Sequence, residues 1–323
     1  KTSGWNQSII ALVQSGLTDS VVTTTTNTPN QASTSTPNYR LCLYEPAGNS
    51  KRVTLPPIPG YDGGLRYCCR FAGVGQDIVV IGGWSTRTRK ASNSVYIYNL
   101  ITAAWRCGTD MPGDMRSFFG CASDSKTVYI AGGHDQKKNA LRSVLAYDVC
   151  SDVWVALPDM ARRRDECRGL VYGGKLHVIG GYRRECPGDF YFQKSAETFN
   201  VDTGTWNPVE EGFVGADKSP KRYLFDCQGN MYKSRSPYLE RLYGSTWHRF
   251  VEFPDDVRMG QFVTTWGETR MVVIGSKNWD SPLNCYALVF GEHEEKCGWT
   301  KLEMSEQFMG PVAPGLFGCN LQL

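Results

Sequence analysis

Residues 77–83 read DIVVIGG, an apolar β-like run that stops on Gly82-Gly83, and the chain repeats that phrase as TVYIAGG at 127–133 and KLHVIGG at 175–181. The second glycines, Gly83, Gly133 and Gly181, lie 50 and 48 residues apart. Each pair leads through a polar loop to an aromatic strand-like run: VYIYN with Tyr96 and Tyr98, LAYDV with Tyr147, ETFNVD with Phe199. Each unit then reaches a Trp, at Trp105, Trp154 and Trp206. Short β-runs separated by turn residues, recurring at a fixed period, specify an all-β repeat array. Paired glycines at a strand end supply positive φ or close backbone approach. One four-stranded unit cannot bury both of its faces, whereas units arranged radially can.

The pattern continues in weaker form. RMVVIGS at 270–276 keeps Gly275, places Ser276 where the second glycine would stand, and is followed by Tyr286 and Trp299. A decayed unit between them retains Gly229-Asn230-Met231-Tyr232, Tyr243, Trp247 and Pro254. Five units therefore run from about Arg66 to Met304. SIIALVQ (8–14), NYRLCLYEP (38–46) and KRVTLPPIPG (51–60) supply the last three strands of a sixth, and GLFGCNLQL (315–323) supplies its first. The expectation is a six-bladed β-propeller of four-stranded antiparallel blades, one closed by strands from both termini, in a single domain over 1–323. The Thr/Ser/Asn/Pro tract at 18–38 has no apolar periodicity and reads as a disordered loop within the split blade.

Composition restricts the function classes. The chain has 323 residues, with 35 Lys and Arg against 32 Asp and Glu, a formal charge of +3. That near-neutral balance argues against a general nucleic-acid binder. No apolar run approaches the length of a membrane span, about 18 residues. The twelve Cys include no CxxC pair or zinc-spaced cluster, and most sit in apolar runs, which fits a reducing compartment and no metal site. Cys68 and Cys69, if in a strand, would point to opposite faces.

Two features mark a partner-binding face. In a four-stranded meander, the loops between strands two and three emerge on the same face as the connections between blades. Three of those loops, at 84–90, 134–142 and 182–194, carry a combined charge of +6, twice that of the whole chain. They include Arg87, Arg89 and Arg183, with His134 and the aromatic residues Trp84 and Tyr182; Trp279 lies on the corresponding loop of the last unit. Secondly, Arg66, Arg116 and Arg164 each stand 17 residues before the second Gly of their pair, Arg258 stands 17 before Gly275, and Arg222 is the counterpart in the decayed unit at a different offset. The spacing places these arginines where each innermost strand begins, around the channel mouth. Guanidinium groups suit bidentate recognition of carboxylate; the competing reading is that they bond backbone carbonyls of neighbouring blades.

The Gly-Gly, Tyr and Trp set resembles kelch repeats, and a closer likeness lies between the repeat markers. LCLYEP, LPPIPG, CRFAGVG, VVIGGW, MRSFFGCAS, AGGH, NALRSVLAYDV, WVALPDMARRRDEC and HVIGGY, from about residue 39 to 208, resemble the plant F-box/kelch-repeat proteins. That resemblance implies the substrate-recognition propeller of a Skp1–cullin–F-box ubiquitin ligase in the cytoplasm or nucleus. Such a propeller presents a target protein, such as a phenylpropanoid enzyme or a hormone-response regulator. An F-box outside this chain would engage Skp1 and the cullin. The near-neutral charge, the lack of a long apolar run and the absence of metal-ligand or nucleotide motifs lead to the expectation of no nucleic-acid partner, no membrane partner and no cofactor. The alternatives are a non-catalytic kelch scaffold and a metal-dependent kelch enzyme. The four His (His134, His177, His248, His293) fall in different units, and no Glu-x3-Asp-x3-His pattern or phosphate loop is found.

Overall fold

A computed structural model describes residues 8–16, 38–46, 52–60, 65–85, 90–184, 190–215, 224–267, 270–278, 281–290, 298–304 and 318–322. The expected loop at 18–38 lies outside the described residues, apart from Asn38. Arg87, Arg89, Arg222 and Trp279 also lie outside them.

Chain order opens with β1 (Ser8–Gly16), β2 (Asn38–Tyr44) and β3 (Arg52–Thr54). The first full blade is β4 (Arg70–Val74), β5 (Asp77–Ile81), β6 (Val95–Asn99) and β7 (Ala104–Gly108). The second is β8 (Gly120–Ser123), β9 (Thr127–Ala131), β10 (Val144–Asp148) and β11 (Val153–Leu157). In the third, β12 (Arg168–Tyr172) and β13 (Lys175–Ile179) are followed by a small hairpin, β14 (Tyr182–Arg184) and β15 (Phe190–Phe192), before β16 (Ala196–Asn200) and β17 (Thr205–Trp206) complete the sheet. The fourth is β18 (Leu224–Cys227), β19 (Asn230–Arg235), β20 (Tyr238–Tyr243) and β21 (Thr246–Glu252). The fifth is β22 (Met259–Thr265), β23 (Arg270–Ser276), β24 (Asn284–Val289) and β25 (Gly298–Leu302). Last, β26 (Gly318–Gln322) pairs antiparallel with β1, and the order β26-β1-β2-β3 makes the sixth blade. The innermost strands β4, β8, β12, β18, β22 and β26 each contact the next, and β26 contacts β4, so the ring closes. The fold is a six-bladed, all-β propeller; among the described residues there is no helix, and so none that could cross a membrane.

The core lies between blades. Ala72, Val79, Ile81 and Ile97 of the first blade pack on Phe119, Val128, Ile130 and Tyr147 of the second. Ile9, Leu41 and Leu43 of the closing blade meet Ile78, Val80 and Tyr98. The last four residues of β5 and of β9 are therefore buried on both faces, which explains the apolar runs IVVI and VYIA.

The glycine pair has a steric cause. Gly132 and Gly133 have φ of +62° and +84°. A Cβ on Gly132 would overlap the carbonyl oxygen of Arg164, and one on Gly133 the carbonyl oxygen of Ser117. In the fifth blade Ser276 removes the second glycine, and β23 runs straight on through Ser276. Each repeat Trp ties neighbouring blades together, as Nε1 of Trp105, Trp154, Trp206 and Trp299 donates at 2.8 Å to a carbonyl of the preceding blade, at Pro56, Thr109, Pro158 and Glu252. Trp247 does so to Phe213 at 2.6 Å. Cys68 and Cys69 precede β4 rather than lying in a strand: Cys68 has φ +56°, as do Phe118 (+56°) and Glu166 (+55°) at the matching places of the next two blades. Cys42, Cys68, Cys69, Cys107, Cys121, Cys150, Cys167, Cys227 and Cys285 are free thiols.

Candidate partner-binding face

The residue after each repeat arginine forms a β-bridge with the residue after each glycine pair: Tyr67 with Trp84, Ser117 with His134, Asp165 with Tyr182. These bridges hold the inter-blade connections and the strand-two-to-three loops together on one face. Side chains that the sequence places 17 or more residues apart become neighbours there.

The repeat arginines divide by environment. Arg164 is 0% exposed. Its Nη1 donates to the carbonyls of Gly180 (2.7 Å) and Ser195 (3.0 Å), its Nη2 to Ser195 Oγ (2.8 Å), and its Nε to Glu197 (3.0 Å). Arg116, 6% exposed, uses the matching atoms: Nη2 donates to Ser143 Oγ at 3.0 Å, and Nη1 lies 3.4–3.5 Å from the carbonyls of Ser143 and Gly132. Neither presents its guanidinium group to solvent, contrary to the expectation that these arginines face a partner. The carbonyls they saturate belong to their own blades, not to neighbours, and close the loop that leaves the glycine pair. Burial pulls Arg164 below the ordinary guanidinium range, and Glu197 pulls it back. Arg66 is half-buried, its Cβ 2.7 Å from where a Cβ on Gly83 would stand. Arg258 stays partly exposed and pairs with Asp255 and, at 3.9 Å, Glu252.

The remaining residues cluster above the first three blades. His134 is 6% exposed and stacks on Phe118 with ring centroids 5.3 Å apart. Its Nδ1 lies 2.9 Å from both carboxylate oxygens of Asp165, and its Nε2 lies 3.0 Å from Lys138 Nζ. An ionised carboxylate only accepts, so Nδ1 carries the proton and donates to Asp165, leaving Nε2 to accept from the ammonium. Lys138 Nζ also sits 4.4 Å from the centre of the Trp84 ring, and Trp84 Nε1 donates to Ser117 Oγ. Tyr182 packs on Phe192 (5.6 Å), and Arg183 is exposed on β14. Beside Trp84 a cavity of about 260 Å³ is lined by Lys90, Ala91, Met115, Ser117 and Asp135. Lys138 belongs to the basic loop at 134–142 that the sequence marks, whereas Asp165 and Glu197 escape sequence reading singly; overlaying the repeats on their arginine and glycine markers would have placed Asp165 at the position of Ser117 and Tyr67. Among the described residues no group of three His, Cys, Asp or Glu could hold a metal. His177 lies packed in β13, against Tyr172 and Thr198.

The Kelch motif matches residues 65–112 and 115–161, the first two full blades. An F-box/kelch-repeat protein of Arabidopsis thaliana is 39% identical over 285 residues, covering 87% of this chain and 77% of that protein. The chain belongs to the F-box/kelch-repeat family. A second Arabidopsis F-box/kelch-repeat protein is 41% identical over 75% of this chain and 68% of its own length. The solved structure of YjhT superposes with a TM-score of 0.63 over 81% of this chain and 91% of that one, at 14% identity, a likeness of fold. Within this F-box/kelch-repeat chain, the matched motifs are the blades that carry Trp84, Met115, His134 and Lys138.

Proposed function

We propose that this propeller is the substrate-recognition part of a Skp1–cullin–F-box ubiquitin ligase, a non-catalytic adaptor whose loop face holds a target protein. The observation that carries the reading is the similarity to F-box/kelch-repeat proteins over most of the chain, joined to a loop face with exposed Lys90, Lys137, Lys138 and Arg183. Trp84 and Tyr182 on the same face are of the residue types that dominate interface energetics. Arg66 and Arg258 stand at its inner edge. Arg116 and Arg164 serve it indirectly, by fixing the loops. The Skp1 and cullin contacts belong to an F-box outside this chain, and the reading places the protein in the cytoplasm or nucleus.

The test is capture of proteins on the propeller while proteasomal degradation is blocked, followed by measurement of each retained protein's half-life with and without the gene product. Retained proteins are expected to persist longer when it is absent. Partners that bind and keep an unchanged half-life would instead make this chain a scaffold.

A further inference from the structure

Lys138 is the one described lysine of this face whose ammonium is held by two neighbours, His134 Nε2 at 3.0 Å and the Trp84 ring at 4.4 Å. An ammonium has three N–H donors, and His134 takes one. The holding chain spans three blades: Asp165 fixes the His134 tautomer, His134 accepts from Lys138, and Lys138 lies over Trp84, whose own N–H is anchored on Ser117. Lys138 also adopts φ +66° in the turn closed by its N–H to the Asp135 carbonyl at 3.0 Å. Immobilising a free lysine on binding normally costs rotamer entropy; here the fold has already fixed it.

The adjoining cavity supplies the second half of a recognition element. Trp84, Met115 and Ala91 form the apolar part of its lining and Ser117 and Gln136 a polar part, and its volume of about 260 Å³ suits one aromatic side chain that also carries or adjoins a polar group. Met115 is 38% exposed and Tyr67, bridged to Trp84, is 48% exposed, so apolar surface is available without rearrangement. Lys90 stands at the rim. The only acid in the lining, Asp135, is occupied by the Asn139 backbone and side-chain amides, both at 2.9 Å. The cleft thus joins the Trp84, Ala91 and Met115 side chains to polar Ser117 and Gln136, with the ammonium groups of Lys90 and Lys138 beside it.

We propose that this cleft between the first and second blades binds a protein segment in which an aromatic residue is flanked by Asp or Glu. The ring enters between Trp84 and Met115, and the carboxylate meets Lys138. This rests on the loop face being the partner-binding face, and it names the chemistry of the segment that the face selects.

The test is panning of a peptide library displayed on phage against the propeller, followed by affinity measurement on the enriched peptides as synthetic probes. Enriched peptides are expected to place Asp or Glu within two positions of Phe, Tyr or Trp. Lys138→Met and Met115→Lys should each weaken binding by about tenfold or more, equivalent to about 1.4 kcal/mol, with thermal unfolding unchanged. Lys175→Met, at the first residue of β13 and at the opposite end of its blade, should leave affinity unchanged. Peptides without the aromatic–acid pairing, or full affinity in Lys138→Met, overturn the proposal. Panning involves no ligase component: if the peptides behave as expected while no captured protein changes its half-life, the recognition stands and the ligase reading falls.

Discussion

Trp154 Nε1 donates to the carbonyl of Thr109 at 2.8 Å, and Asp152, two residues before Trp154, accepts the Thr109 N–H at 2.7 Å. One residue at the end of the first blade is thereby gripped through both backbone groups by the outer hairpin of the second. Trp154 also stacks on its cross-strand neighbour Tyr147, with centroids 4.7 Å apart. The indole is an inter-blade tie as well as filling.

Trp154→Ala should destabilise the protein by about 3 kcal/mol or more, the lower end for a large aromatic deletion. Trp154→Phe keeps the stack, loses the donor, and should cost about 1 kcal/mol. Denaturant midpoints of the two variants check this; equal losses would assign the whole effect to the lost Nε1 hydrogen bond rather than to packing.

Gly132→Ala and Gly229→Ala separate steric overlap from backbone strain. Both glycines have positive φ, +62° and +64°, but only Gly132 has a carbonyl where Cβ would go, while Gly229 faces open space. Gly229→Ala should cost roughly 1–2 kcal/mol. Gly132→Ala should cost roughly 4 kcal/mol or more, because the Arg164 backbone has to move. Thermal unfolding of both variants distinguishes the two causes.

Arg164 and Glu197 form a pair whose side chains are 0% and 1% exposed. Glu197→Ala strands the guanidinium and also releases the Ala161 N–H, which it holds at 2.6 Å. The expected cost is about 3–5 kcal/mol. The double variant Arg164→Met/Glu197→Leu should cost less than the two single changes together, a coupling readable from a double-mutant cycle.

Asp152 should make the junction of the first two blades acid-labile. The Thr109 N–H first, and then the Tyr147 hydroxyl, hold its carboxyl below the ordinary 3.8. A carboxylate with a lowered folded-state value contributes stability that is complete above its unfolded value and is lost as pH falls through the lowered folded value. The melting temperature should therefore drop between about pH 5 and 2, and Asp152→Asn should flatten that dependence. Equal pH profiles for the two proteins would contradict it.

Much of the architecture was legible because its causes are local. An apolar run of five residues, two glycines that must take positive φ, and a Trp opposite an aromatic cross-strand neighbour are short-range demands, so they recur in the sequence at the spacing of the blades. The same reasoning placed the split blade, since GLFGCNLQL and SIIALVQ carry strand patterns that need an edge to pair with. The decayed unit was harder to bound because β19 (Asn230–Arg235) has no glycine pair to end it.

The candidate face was legible only in outline. The 17-residue spacing located the arginines at the starts of the innermost strands but could not say which way their guanidinium groups turn. Arg164 points inward because Gly180, Ser195 and Glu197 converge on it from two other strands, and Arg258 points outward because Asp255 and Glu252 stand beside it.

The sequence by itself determined the strands, their repetition and the closure of the ring, because hydrophobic patterning, glycine sterics and aromatic pairing act within one blade. Only the tertiary structure decided which charges are spent inside and which remain outside. The Asp165–His134–Lys138–Trp84 chain joins three blades through contacts of a few ångströms, and hydrogen-bond geometry at that range depends on how neighbouring sheets are juxtaposed.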